Sequence, residues 1–397
     1  MDYKKDNHAR LVSYFDSGSK EKKLVGLKIE HFVVRAHTWE SVTYDGGIKR
    51  LLEKLVPLCG KPMFYLENII GIMRGGSHIN LEPGGQLKIS LGPSNSIMDL
   101  KQIYDDFSGK ITPLLEDMGS KLLTFGYHPV TQADDLPIVP SKRFEILEEY
   151  FKYTGLMGKH MMMGCAATHV TIDYGDEYDF KKKFRVACIL GPLLAFICDN
   201  SNYFEGEAFK GRMLRTQIWN NVCPLRSNLV PGCLDRDFGF SDYASYLCEM
   251  PAIMVQKGGE LIASHKSSLS HVFAEALIEE ADIVRAASLV FPDVALKGHI
   301  EIRVADSMPI HMALAYTALI KGLMYDELNL DTLYDMTLGV CSYDVYHAKQ
   351  ELIIKGKDGL IYNRPVRDWI KRIFFMSQAG LGSDELPYFL PVEAFIS

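Results

Sequence analysis

The sequence predicts an α+β protein in which several antiparallel strands carry long helices packed on one side. Three observations lead there. Segments such as "LKIEHFVV", from Leu27, and "EPGGQLKISLGP", from Glu82, alternate polar and apolar residues, as strands with one buried face do. Paired glycines at 46–47, 75–76 and 84–85 break the strand-rich part at turn-like intervals. Elsewhere, apolar residues recur at helical spacing over long stretches.

The first strand reads from Leu24 to Val34. An amphipathic helix follows Gly46-Gly47, with Leu51, Leu52, Leu55 and Val56 on its apolar face. "MFYLENIIGIMRGG" and "HINLEPGGQLKISLG" read as consecutive antiparallel strands. Ser94, Asn95 and Ser96 read as capping residues for a helix whose apolar stripe runs through Leu100, Ile103 and Phe107. "LLTFGYHPV" returns to strand, and another helix begins near Phe144. In "HMMMGCAATHVTIDY" the alternation puts His169, Thr171 and Asp173 on one side and Val170 and Ile172 on the other. A long helix covers Lys181 to Phe196. Residues 204–233, rich in Gly, Asn and Arg, read as ordered loops around a site. "VALKGHIEIRVADS" is a strand with Glu301 and Arg303 on one face, and the rest is mostly helical apart from "ELIIKGKDGLIYN". With no internal repeat and no linker, residues 1–397 read as one domain, mainly helical from about residue 308.

A chain of 397 residues can bury a large core, and 47% hydrophobic with 23% charged residues is ordinary soluble composition. A net charge of -7 gives no general attraction to nucleic acid or to an acidic membrane face. The basic runs Lys20–Lys23 and Lys181–Lys183 are short and read as solvated faces. The N-terminus is too polar for a secretory signal, and no apolar run reaches the roughly 18–20 residues that span a bilayer. The eight cysteines form no CxxC pair and read as reduced core residues of a cytoplasmic protein. Small molecules are the partners these features leave.

Period two puts Lys28 with Glu30, Glu82 with Gln86, Lys88 and Ser90, His169 with Thr171, and Glu301 with Arg303, each set on one face. In a shared sheet, these form either a solvent-facing surface or a trough whose charges act on anionic groups. "EPGGQ" implies a tight turn or a close backbone approach. Nearby in the loop region, Arg212, Arg215 and Arg226 offer bidentate geometry for carboxylate or phosphate, and Trp219 can wall a pocket. There is no G-x-S-x-G, no phosphate-binding G-x-x-x-x-G-K loop and no H-E-x-x-H, and "GIMRGG" does not match a dinucleotide fingerprint.

In order, "GLKIEHF", "LEPGGQLKIS", "MMMGCAATHVTIDY", "LRTQIWNNVCPLRSNLVPG" and "FPDVALKGHIEIRVADS" resemble the glutamate–cysteine ligase family in its plant and bacterial branch. They span about residues 26–307. The resemblance implies a fold like that of glutamine synthetase, a curved antiparallel sheet forming a funnel covered by helices. It implies ATP and magnesium as cofactors, phosphorylation of the γ-carboxylate of glutamate, and attack of an amine on the acyl phosphate. Glu30, Glu82 and Glu301 fall on family acids and, with His169 at a family glutamine, are the candidate metal ligands. Arg215, Arg226 and Arg303 coincide with family arginines. Lys28, Lys88, His169 and Arg303 are the candidate catalytic residues; Gln86, Arg215, Trp219 and Arg226 are the candidate substrate-binding ones.

The departures concentrate in the chemistry. Lys28 and Lys88 stand where the family has glutamates, and Asn221 and Cys223 where it has the two aspartates of D-T-D. Ala295 replaces an arginine and Ala286 a histidine. An ammonium about 3–4 Å from a divalent cation repels it, so fewer metal ions are expected than in the family pattern. The expectation is a carboxylate–amine ligase-like enzyme acting on glutamate or a similar small amino acid, forming a γ-glutamyl amide with ATP. The alternatives are acyl transfer or rearrangement on the same fold without ATP or metal, and a relative that binds small molecules without catalysis.

Overall fold

Alternation and turn chemistry build one large antiparallel sheet in the computed structural model, which describes residues 2–20, 22–264 and 267–395. Its strands are β1 (Val25–Arg35), β2 (Lys61–Tyr65), β3 (Asn68–Arg74), β4 (Ser77–Leu81), β5 (Leu87–Ser94), β6 (Ser120–Leu123), β7 (Ala167–Ile172), β8 (Val294–Leu296) and β9 (Ile300–Asp306). They lie in the order β8-β9-β7-β1-β5-β4-β3-β2, with β6 pairing the end of β1. The sheet is open, with β8 and β2 at its edges.

One face of this sheet is apolar because every second residue is. Leu27 and Ile29 of β1, Ile89 of β5, Val170 of β7 and Ile302 of β9 are buried in a single core. Helices α1 (Lys4–Asp16), α2 (Lys49–Cys59), α3 (Ile97–Asp117) and α5 (Glu177–Ile197), with Ile310–Met324, contribute to it. Fifteen of the 21 residues of α5 are buried, so this helix is interior on nearly all sides rather than amphipathic. Two further helices, α4 (Lys142–Phe151) and α6 (Leu214–Asn220), stand by the other face of the sheet and carry site residues. Among the described residues no helix is long and apolar enough to cross a membrane.

Four local expectations change. "VALKGHIEIRVADS" is a hairpin, β8 and β9, turning through Gly298 in the left-handed region at φ 70°. "LLTFGYHPV" is strand only to Leu123; beyond it Gly126 packs so closely on Asp306 that a Cβ would collide with that carboxylate and with the Ser201 hydroxyl. Glu351–Lys355 is the last turn of the helix Ser342–Lys355. Lys183 does not lie on a solvated face. It is buried, donates to Asp179 Oδ2 at 2.7 Å and to the Asp173 carbonyl at 3.1 Å, and covers the Tyr325 ring. Glu21, inside the other basic run, lies outside the described residues.

β9 carries one irregularity that matters for the site. Between Ile302 and Ala305 its register against β7 shifts, so that Arg303 and Val304 together stand against His169.

Candidate active site on the polar face of the sheet

Register decides which polar residues meet. Lys28 is paired with Ser90 on β5 and His169 on β7, and Glu30 is paired with Lys88. One strand further out, His78 lies beside Ser90 and Asn80 beside Lys88. On β9, Glu301 is paired with Thr171. Cross-strand partners share a face, so Lys28, Glu30, Lys88, His169 and Glu301 stand on one side. Glu82, just past β4, joins them by ion-pairing with Lys88.

The charges fall into two groups. At the first, Glu301 is 1% exposed and takes three cations: Lys28 on Oε1, Lys297 Nζ at 2.5 Å and Arg303 Nη1 at 3.0 Å on Oε2. Burial alone would raise this carboxyl, but the three cations together hold it well below the usual carboxylate range. Burial lowers Lys297 to about 7, against the attraction of Glu301 and with the repulsion of Arg303 and Lys28. His169, with Nδ1 4.0 Å from Glu301, is pushed well below the ordinary histidine range by burial and then by Arg303, so its imidazole is neutral.

At the second group, Glu30 accepts the Ala167 N–H at 2.8 Å, and burial followed by the Glu82 charge pushes its carboxyl up to about 7. Burial disfavours the Lys88 ammonium, yet Glu82 and Glu30 outweigh it and raise Lys88.

Beside this second group opens a cleft of about 660 Å³, walled by α4, α6 and the sheet. Arg215 and Trp219 face it from successive turns of α6, with the guanidinium 5.7 Å from the indole centre. Arg215 Nη1 donates to the Val304 carbonyl at 3.2 Å. Its Nε and Trp219 Nε1 are buried with no hydrogen-bond partner among the described residues. The aim of α6 is set at its start, where Met213 is left-handed (φ 53°) and its N–H donates to Asp199 Oδ2 at 2.6 Å.

Two expected substrate-binding residues are otherwise occupied. Gln86 lines the cleft, but its amide donates to the carbonyls of Met162, Met163 and Cys165 at 3.2, 2.9 and 2.9 Å and accepts the Gly84 N–H. It fastens the Glu82–Gln86 turn to the segment His160–Gly164. Arg226 lies away from the cleft and is 1% exposed; it donates to the Tyr150 hydroxyl and to the carbonyls of Leu289 and Pro251. Both spend their donors on the fold.

The acids do not form an open carboxylate set for a divalent cation. Glu301 is taken by three cations and Glu82 by Lys88, and among the described residues no three His, Cys, Asp or Glu side chains converge as a metal ion needs. Ala295, where an arginine was expected, is directly opposite Glu301, and Lys28 supplies a cation to that carboxylate instead. Asn221 and Cys223 lie at the end of α6 and just beyond, Asn221 donating to the Gln217 carbonyl and Cys223 buried near the Tyr150 hydroxyl.

Lys297, His78, Asn80 and Arg143, which lines the cleft, were not singled out in the sequence. A signal existed for His78 and Asn80, which alternate in "HINL". Lys297 sits in a hairpin turn that the sequence does not separate from its strand, and Arg143 carries no pattern at all.

The chain is 29% identical over 400 residues to glutamate–cysteine ligase B, chloroplastic, of Oryza sativa subsp. japonica, covering 98% of this chain and 80% of that protein. It is 29% identical over 337 residues to the chloroplastic glutamate–cysteine ligase of Nicotiana tabacum, covering 82% of this chain and 64% of the relative. For the Arabidopsis thaliana chloroplastic enzyme the figures are 28%, 82% and 64%. The sequence pattern of glutamate–cysteine ligase family 2 matches residues 24–356, and the chain belongs to that family.

Proposed function

We propose that this protein is a carboxylate–amine ligase acting on glutamate or a closely similar amino acid, forming a γ-glutamyl amide at the expense of ATP. The observation that carries the reading is the pair of unpartnered donors in the cleft wall. Arg215 Nε and Trp219 Nε1 are buried, and a buried donor is costly unless a ligand completes it. A substrate carboxylate in the cleft would satisfy both, within reach of the Lys88 and Glu30 group. Neutral His169 would offer a site for a proton, and Lys28 and Arg303 positive charge for a developing oxyanion. ATP would supply the activated phosphoryl group. A multi-ion magnesium cluster is not part of the proposal, since two of the acids that would hold it, Glu301 and Glu82, are occupied by side-chain cations.

The test is calorimetry with glutamate and with ATP, with and without magnesium, beside mass spectrometry of mixtures containing cysteine and other amines. Glutamate binding together with ADP release and a γ-glutamyl product supports the ligase. Glutamate binding with no nucleotide turnover would instead favour ATP-independent transfer or binding without catalysis.

A further inference from the structure

Around Glu301 the charges do not cancel. One carboxylate, 1% exposed, lies beneath Lys28, Lys297 and Arg303, whose side chains are 24%, 22% and 14% exposed. The carboxylate is enclosed, while each of the three side chains around it keeps part of its surface open. A lysine ammonium has three N–H donors and a guanidinium five, so contact with Glu301 leaves donors on each. Of the other acids on this face, Glu82 is paired with Lys88, and Glu30 accepts the Ala167 N–H. Next to the cluster, His169 Nε2 and Ser90 Oγ are buried without a partner among the described residues.

We propose that Lys28, Lys297 and Arg303 form an oxyanion subsite, which holds a phosphoryl or carboxylate group by side-chain cations in place of a bridging divalent cation. A divalent cation at the same spot would meet the Lys28 and Arg303 charges and would have to displace a lysine or arginine head from Glu301. A planar or tetrahedral oxyanion meets none of that and gains charge-assisted hydrogen bonds from each head. The proposal deepens the ligase reading and rests on it only for which anion is the natural ligand.

The experiment is calorimetry on the full chain with two separate probes, inorganic phosphate and glutamate, each in EDTA and in excess magnesium. The expected result is that at least one probe binds in EDTA with a Kd within about threefold of its magnesium value. Lys28→Gln and Lys297→Gln should each weaken that binding at least about tenfold, while Lys110→Gln, on α3 and outside the site, leaves it unchanged. Thermal melts establish that the variants fold. Should a Gln variant fail to fold, the EDTA and magnesium titrations of the unaltered chain decide. Binding only when magnesium is present, or no binding of either probe, overturns the subsite. Phosphate binding without glutamate binding upholds it and removes the glutamate reading. Glutamate binding that ignores both lysine substitutions overturns the subsite and leaves the ligase reading standing.

Discussion

A side chain's identity says less about its task than the atoms it already satisfies. Gln86 and Arg226 matched residues of a binding site by type and by motif, yet their donors go to backbone carbonyls. Nothing in a sequence marks that choice, because backbone acceptors carry no residue identity. Alternation put Lys28 and Lys88 on a polar strand face, and only the family resemblance made them candidate site residues, while their partners became visible only through register. Two predictions belong here. Gln86→Ala leaves three buried carbonyls without their donor and should cost about 2–3 kcal/mol in urea unfolding. It should also weaken ligand binding by loosening the Met162 wall; unchanged stability would dismiss the staple. Arg226→Met should destabilise by about 3 kcal/mol while the folded fraction binds glutamate as the parent does. A loss of affinity with intact stability would return Arg226 to the substrate.

Short elements aim the site, and α6 shows how. Seven residues long, it cannot hold its own direction; Asp199 Oδ2 accepts the N–H of Met213, the left-handed residue just before its first turn. Burial, then the neighbouring Asp306 charge, raises Asp199 to about 7 from 3.8. A raised folded-state value means the stabilising contribution is complete below about pH 4 and is lost as pH climbs through 7. Asp199→Asn, which can still accept the Met213 N–H, should therefore gain on the parent between pH 5 and 8, by up to about 4 kcal/mol. Stability profiles that stay parallel over that range would reject the account. Helix and strand boundaries of the longer elements were readable from periodicity. The hairpin at Gly298 was not, since the polar Lys297 and His299 inside the three-residue turn keep up the strand alternation.

At the scale of the whole molecule, the sheet turns one polar face to the site and packs its apolar face on helices. That division was legible because both periods, 2 and 3.6, run cleanly through most of the chain. Leu190, fully buried on α5, a helix that packs on β9, tests how firmly the core carries the site. Leu190→Ala should cost about 2–5 kcal/mol and lower the melting temperature without changing the ratio of phosphate to glutamate affinity; a changed ratio would mean the core and the site are not separable. The bulge in β9 has a reach beyond its two residues. It changes the parity of the strand: odd-numbered Glu301 and Arg303 look toward the ligand side, and after the extra residue even-numbered Asp306, across from Ala167, does so as well. Deleting Val304 would restore a perfect alternation and turn Asp306 away from Asn200 and Ser201, whose N–H and hydroxyl it now accepts at 2.9 and 2.6 Å. A single-codon loss that makes this strand more regular would thus unhook it from the loop leading into α6, and any alignment of relatives that skips a residue there assigns Asp306 to the wrong side of the sheet.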